Sequence, residues 1–147
     1  MNKWDAIEKD TFTIEKFKKK LDTDLAFMDY YKSIFVSAKT GLRAEKVIKI
    51  AEEALENARK RLTTGTLNDL ISDAVRANEP PTKNGRRLKI YYSVQDGTCP
   101  PTFVLFVNNA DLMHFSYTRF LENTLRNAVD FTGTPIRIIV REKTEDK

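Results

Sequence analysis

The sequence predicts two unequal units in tandem. Residues 1–62 read as an α/β segment, helix–strand–helix, and residues 63–147 as an α+β unit of order α-β-β-α-β. Three observations carry this. Apolar residues recur at helical spacing in four stretches. Between these stretches lie short runs rich in aromatic and β-branched residues, the composition of strands. Thr63-Thr64-Gly65 then interrupts the pattern between the second and third helical stretches and marks the boundary. Strands interspersed with helices imply layered packing.

Taken in order, Ile14, Phe17, Leu21 and Leu25 form one stripe of a helix whose outer face carries Lys16, Lys18, Lys19 and Lys20. Tyr30–Val36 reads as a buried strand, and Ser37–Gly41 as a turn. A second helix spans about 43–61, with Val47, Ile50, Ala51, Ala54, Leu55 and Ala58 inward. Thr66 and Asp69 have the capping-box spacing, with Asp replacing Glu or Gln, so the third helix starts there. Leu67, Leu70, Ile71, Ala74 and Val75 line its inner side, and it ends before Pro80-Pro81. Leu88–Val94 and Thr102–Asn108 are strands joined by a hairpin-like loop, Gln95–Pro101. Ser116 caps a helix with the stripe Tyr117, Leu121, Leu125 and Val129, which Gly133 closes. Ile136–Arg141 is the last strand, and Lys143–Lys147 a frayed tail. One difficulty stands out. The Tyr30–Val36 strand has no sheet partner within residues 1–62, so that unit is expected to be incomplete by itself.

Composition narrows the function classes. With 41% hydrophobic and 31% charged residues in 147, the chain can bury a core and is not of the disordered class. Its longest apolar run, Phe103–Val107, is far short of the roughly 20 residues that span a bilayer. No basic-then-apolar leader follows Met1. Cys99 has no second cysteine to pair with, which suits a reducing compartment, so a soluble cytoplasmic protein is expected. The net charge of +4 is spread evenly, with 14 cations against 11 acids through Leu62 and 11 against 10 beyond. The densest cationic stretch without an acid between is Lys83, Arg86, Arg87 and Lys89, which reads either as a solvated loop or as an RNA phosphate contact.

Two short motifs carry possible chemistry: Asn2-Lys3-Trp4-Asp5 and, after the next strand, Ser37-Ala38-Lys39. Ligands of parallel α/β proteins sit beyond the carboxyl ends of strands, so the two could line one pocket. A helix-capping loop and an unrelated turn are the structural alternative. The pair resembles the guanine-recognition elements of P-loop GTPases, Asn-Lys-x-Asp and Ser-Ala-Lys. A carboxylate at Asp5 could accept from both the N1–H and the exocyclic amine of guanine. Adenine lacks that donor pair and would leave the acid unpaired. The resemblance further implies that the Lys3 stem covers the base, that Asn2 ties the two loops together, and that the Ala38 N–H donates to the guanine carbonyl. No Gly-x-x-x-x-Gly-Lys-Ser/Thr phosphate loop occurs in the sequence. Asp130-Phe131-Thr132-Gly133 has the spacing of a GTPase switch motif, but it follows the base-recognition motifs and is read as coincidence.

The second unit carries a longer pattern: Gln95, then Pro100–Asn108, then Tyr117-x-x-Phe120-Leu121-Glu122-Asn123, Leu125-Arg126 and Gly133-Thr134-Pro135-Ile136. It is similar to the KH-like C-terminal domain of the bacterial tandem GTPase family Der, also called EngA, and the likeness covers essentially the whole chain. The resemblance implies that residues 1–62 are the last third of the family's second GTPase domain and residues 63–147 its KH-like domain. It implies GTP or GDP as the ligand of the parent protein, with Mg2+ held only by the part not present here. This chain alone would then need no cofactor and would not hydrolyse GTP. The implied partners are ribosomal RNA, the large ribosomal subunit and the N-terminal GTPase portions, with no membrane. A stand-alone KH-type RNA-binding protein and a protein-docking scaffold are the alternatives.

The sequence departs from a typical KH domain in lacking a Gly-x-x-Gly backbone clamp; after Asn108 it reads Asn109-Ala110-Asp111. Tyr91, Tyr92, Phe103 and Phe106 are core residues or a base-stacking platform. His114 is read as an ordinary loop or helix-start residue, and Cys99 as a bystander.

Overall fold

The computed structural model of the chain describes residues 1–143 and places four helices and five strands among them. Residues 144–147, most of the expected tail, lie outside the described residues. Helix α1 is Thr13–Asp24 and α2 is Ala44–Arg59. The second unit runs α3 (Thr64–Ala77), β1 (Thr82–Lys83), β2 (Arg86–Arg87), β3 (Ile90–Gly97), β4 (Thr102–Val107), α4 (Phe115–Ala128) and β5 (Arg137–Glu142).

Strand β4 is the centre of a three-stranded sheet, antiparallel to β3 and parallel to β5. The parallel pair requires a crossover, and α4 supplies it. Strand alternation sends Phe103, Leu105 and Val107 to one face, where they meet Leu67 and Ile71 of α3 and Leu121 and Leu125 of α4. All but Ile71 (3% exposed) are fully buried, so the helices cover one face of the sheet completely. Asn68 of α3 joins helix to sheet. Its side chain accepts from the Ser93 N–H at 2.8 Å and donates to the Ser93 carbonyl at 2.9 Å. The expected α-β-β-α-β order is therefore present.

Several local expectations need correction. Tyr30–Val36 joins no sheet, in line with its expected lack of a partner, but it is not the buried strand read from its composition. It is an extended arm whose backbone bonds run to the first residues, Val36 N–H to Met1 O at 2.8 Å and Trp4 N–H to Val36 O at 3.0 Å. Among the described residues no strand pairs with it, and within the arm only Phe35 is buried, against Trp4 at 4.6 Å. The inner face assigned to α2 is half open: Val47 and Leu55 are each 44% exposed. Helix α3 starts earlier than expected, because the Thr63 hydroxyl, not that of Thr66, accepts the Thr66 N–H at 3.2 Å. Helix α4 is capped by His114, whose Nδ1 accepts the Ser116 N–H at 3.2 Å, in place of Ser116 itself. It ends at Ala128, five residues before Gly133, so that glycine closes no helix. The first long strand is shifted, running from Ile90 to Gly97, which shortens the loop expected at Gln95–Pro101.

The segment read as a loop between Pro81 and Leu88 contains a small hairpin. Its turn residues Asn84 (φ 53°) and Gly85 (φ 74°) both lie in the left-handed region, as a tight two-residue hairpin turn requires.

Candidate functional site

The two short motifs come together at the start of the chain. Asn2 leads into a 3₁₀ turn, Trp4–Ala6, and Lys3 before it has φ 63°. Trp4 anchors this turn, packed edge-on against Phe17 of α1 and beside Phe35 of the arm. At the other end of the arm the chain turns through Ser37–Leu42, closed by Ser37 N–H to Leu42 O at 3.2 Å. Asn2, Lys3, Asp5, Ala6, Ala38 and Lys39 line one cavity. Ser37 lies buried beneath it, its hydroxyl donating to the Asp5 carboxylate and accepting from Thr40 N–H at 3.2 Å.

That hydroxyl bond is the main cause that lowers the Asp5 pKa, followed by a backbone N–H and the charge of Lys9. Asp5 is thus an anion at neutral pH, with an acceptor for paired N–H donors. Asn2 bridges the two loops: its Oδ1 accepts from Lys3 N–H at 2.7 Å and Ala38 N–H at 3.0 Å. The Ala38 donor is therefore already engaged. A base carbonyl reaching it must share or displace the Asn2 oxygen.

The cationic run does not converge on one point. Lys83 and Arg86 border a cavity between the β1–β2 hairpin and the Ala110–Leu112 turn, with the Asp111 carboxylate on its rim. Arg87 and Lys89 line a different one, beside the end of α3. Arg87 is also paired with Glu79 at 3.0 Å, so the run has an acidic neighbour that linear spacing hid.

The aromatics divide between core and surface. Phe103 is fully buried, whereas Tyr92 stacks on Phe106 (4.3 Å between centroids, 14° between planes) on the uncovered face of the sheet. Arg141 is in register with Phe106 on that face, and Lys143 Nζ lies 5.4 Å from the half-exposed Tyr91 ring. Cys99 is exposed and gives its N–H to Ala58 O at 3.0 Å. Among the described residues no cluster of three or more His, Cys, Asp or Glu could hold a metal, and no helix is long and apolar enough to cross a membrane.

Sequence reasoning missed the residues that join the two units. Gln95 donates to Lys60 O at 2.9 Å and accepts from Leu62 N–H at 2.7 Å. Asn57 donates to Thr132 O and Lys60 Nζ to Asp130 O, both at 2.8 Å. Arg126 donates to the Phe131 and Thr134 carbonyls, pairs with Glu122 at 3.0 Å, and lies 4.4 Å over the Tyr30 ring. Gln95, Arg126 and Gly133 all belong to the pattern read for the second unit, but a polar residue on a strand or helix does not reveal which carbonyl it will meet.

Comparison with known proteins adds a family. Residues 61–141 match the family described as "KH-domain-like of EngA bacterial GTPase enzymes, C-terminal". Over 143 residues the chain is 52% identical to "GTPase Der" of Leuconostoc citreum (strain KM20), covering 97% of this chain and 33% of that protein. It is 54% identical over 145 residues to "GTPase Der" of Clostridium novyi (strain NT), covering 99% of this chain and 33% of the relative. The chain spans about a third of the length of these curated relatives.

Proposed function

Since the chain belongs to the family of KH-like C-terminal domains of EngA (Der) GTPases, we propose that it serves as the C-terminal part of a GTP-binding ribosome-assembly factor. It contributes guanine recognition through residues 1–62 and an RNA- or ribosome-contacting KH-like domain through residues 63–147, in the cytoplasm. The observation that carries the guanine reading is the meeting of Asn2, Lys3, Asp5, Ala38 and Lys39 around one cavity above buried Ser37. In this reading Asp5 accepts the two N–H donors of guanine, the Lys3 stem covers the base, and Ala38 N–H turns from Asn2 to the base carbonyl. Asp5→Asn, made in a chain of the relatives' full length, is the test. Weaker guanine nucleotide binding with relaxed base selectivity is expected, and unchanged affinity and selectivity at that site would overturn it.

Residues 1–147 by themselves hold contacts for base and ribose but no phosphate loop, and phosphates are gripped by such a backbone cradle and a helix N-terminus. They are expected to release no phosphate from GTP and to bind guanine nucleotides only in the millimolar class, about 4 kcal/mol at 1 mM. Micromolar affinity by calorimetry would contradict this.

The RNA reading rests on Lys83 and Arg86 at the hairpin, with Arg87 and Lys89 nearby, and on the exposed Tyr92 stacked on half-buried Phe106, a surface that also suits a stand-alone RNA-binding protein. Charge reversal at Arg86 and Arg87 is expected to weaken association with ribosomal particles in a salt-dependent way. Equal association of variant and parent across a salt series would favour a merely solvated hairpin.

A further inference from the structure

The loop Asp130–Thr134 of the KH-like unit is engaged from the first unit at three successive points. Lys60 Nζ donates to the Asp130 carbonyl, Asn57 Nδ2 to the Thr132 carbonyl, and Gly133 N–H donates to the Tyr30 carbonyl at 2.6 Å. Arg126 braces the same loop from α4 through the Phe131 and Thr134 carbonyls and lays its guanidinium on the Tyr30 ring. Gly133 sits at φ +84°, and a Cβ there would lie 2.7 Å from that of Ala54 on α2. No other residue fits without moving the helix or the loop.

The two elements docked on this loop are the two that carry the base-recognition turn. The arm starts at Tyr30 and ends at Ser37; α2 ends at Arg59 and starts just after Arg43. Between them runs an open apolar groove bordered by Tyr30, Ile34, Ile50 and Ala54, so along most of their length they do not close on each other. They are tied by Lys32–Glu53 at 2.6 Å, by the turn Ser37–Arg43 at one end, where the Arg43 guanidinium also donates to the Phe35 carbonyl at 3.2 Å, and by the Asp130–Thr134 loop at the other. Among the described residues, the loop is thus the one tie between the two arms of the turn that belongs to the KH-like unit.

We infer that Arg126 and Gly133 are positioning residues for the Ser37–Thr40 turn, so that the KH-like unit sets the geometry of the base cavity across the Tyr30–Gly133 joint. Only the identity of the base rests on the guanine reading; the coupling itself does not. By linkage, whatever binds the KH-like unit and shifts this loop alters affinity at the cavity, and occupation of the cavity shifts the loop by the same factor.

The test is amide hydrogen exchange of residues 1–147, combined with titration of guanosine 5′-monophosphate followed by NMR. In Gly133→Ala, exchange at Ser37, Ala38 and Thr40 is expected to accelerate about tenfold, within the usual range of coupling between sites. Exchange at Ser93 and Leu105 in the sheet stays at its parent rate. Adding Ala54→Gly removes the Cβ clash and is expected to recover part of the protection. Arg126→Lys keeps the charge, loses the planar fork and is expected to act in the same direction, which covers the case in which Gly133→Ala does not fold. Unchanged exchange at Ser37–Thr40 in Arg126→Lys, or equal acceleration of turn and sheet, would overturn the inference. Coupled exchange in a protein that takes up no guanosine monophosphate would uphold the joint and remove the guanine reading instead.

Discussion

Residues 64–142 bury a continuous core, while residues 1–62 do not. The KH-like unit has a sheet with one face sealed by two helices, and Phe103, Leu105, Leu121 and Leu125 are fully buried there. Residues 1–62 have Trp4, Phe17 and Phe35 gathered into one small aromatic group, with Ile48 and Val47 left open on α2. Apolar burial is the main favourable term in folding, so the two units differ in self-sufficiency far more than in length. The candidate base site lies in the thinner unit, and its order is borrowed from the thicker one through the joint at Asp130–Thr134.

The sole tryptophan, Trp4, makes this difference measurable, because its fluorescence reports the thin unit alone, while far-ultraviolet dichroism reports both units, each of which holds two helices. The largest effect is expected for Phe103→Ala, which opens a cavity in the centre of the sheet and costs about 4 kcal/mol. In urea both signals should then be lost at lower denaturant. By contrast, Phe35→Ala should shift the Trp4 transition and split the dichroism transition into two steps; a single dichroism step that moves together with Trp4 would show that the two units unfold as one. Next comes Asn68→Ala, which strips partners from the N–H and carbonyl of Ser93, a buried residue, and is expected to cost about 2–3 kcal/mol, read in the later dichroism step with the Trp4 transition unmoved.

Gln95→Ala sharpens the comparison at the junction. It unties Lys60 O and Leu62 N–H, with an expected loss of about 1–2 kcal/mol and a wider gap between the two transitions. Thr63→Ala removes the cap of α3 and should cost about 1 kcal/mol, read as a lower urea midpoint. The smallest effect is that of acid. The pKa of Asp5 is lowered by the Ser37 hydroxyl and that of Asp10 by the Thr13 hydroxyl, relative to an unperturbed 3.8. A carboxylate whose folded pKa is depressed stabilises the fold above its unfolded value, and that stability is lost as pH falls through the folded value. Trp4 fluorescence should therefore begin to change as pH drops below about 3.8, while exchange at the Leu105 amide of the sheet stays slow.

What the sequence made legible follows from what periodicity encodes. Stripes such as Leu67–Ile71–Ala74 and Tyr117–Leu121–Leu125 locate helices because a core face repeats every 3.6 residues, and these helices formed where expected. The two short motifs, Asn2–Asp5 and Ser37–Lys39, were readable because their residues are local, and the arm brings them to one cavity. Tyr30–Val36 was misjudged because its strand-like composition describes a buried neighbour, which these residues lack. Val47 and Leu55 failed for the same reason: an apolar stripe states what a face needs, not whether anything covers it. The Asn84-Gly85 turn was there to be read as a hairpin signal, but its flanking pairs are only two residues long. Side-chain bonds to distant carbonyls, as made by Gln95 and Arg126, leave no periodic trace.

The grip of Asn68 on Ser93 has a consequence for assembly. Strand β3 is an outer strand of the sheet, and an outer strand normally offers its unpaired N–H and carbonyl groups as a template for another chain. At the middle of β3 those two groups already face a carboxamide, which imitates the peptide group of an absent fourth strand. Strand addition is thereby blocked on that side. Growth of the sheet is open only along β5, where Arg137 and Arg141 alternate with Ile138 and Val140 and, among the described residues, no strand lies beyond. The sheet is thus one-sided in the direction of its hydrogen bonds as well as across its faces.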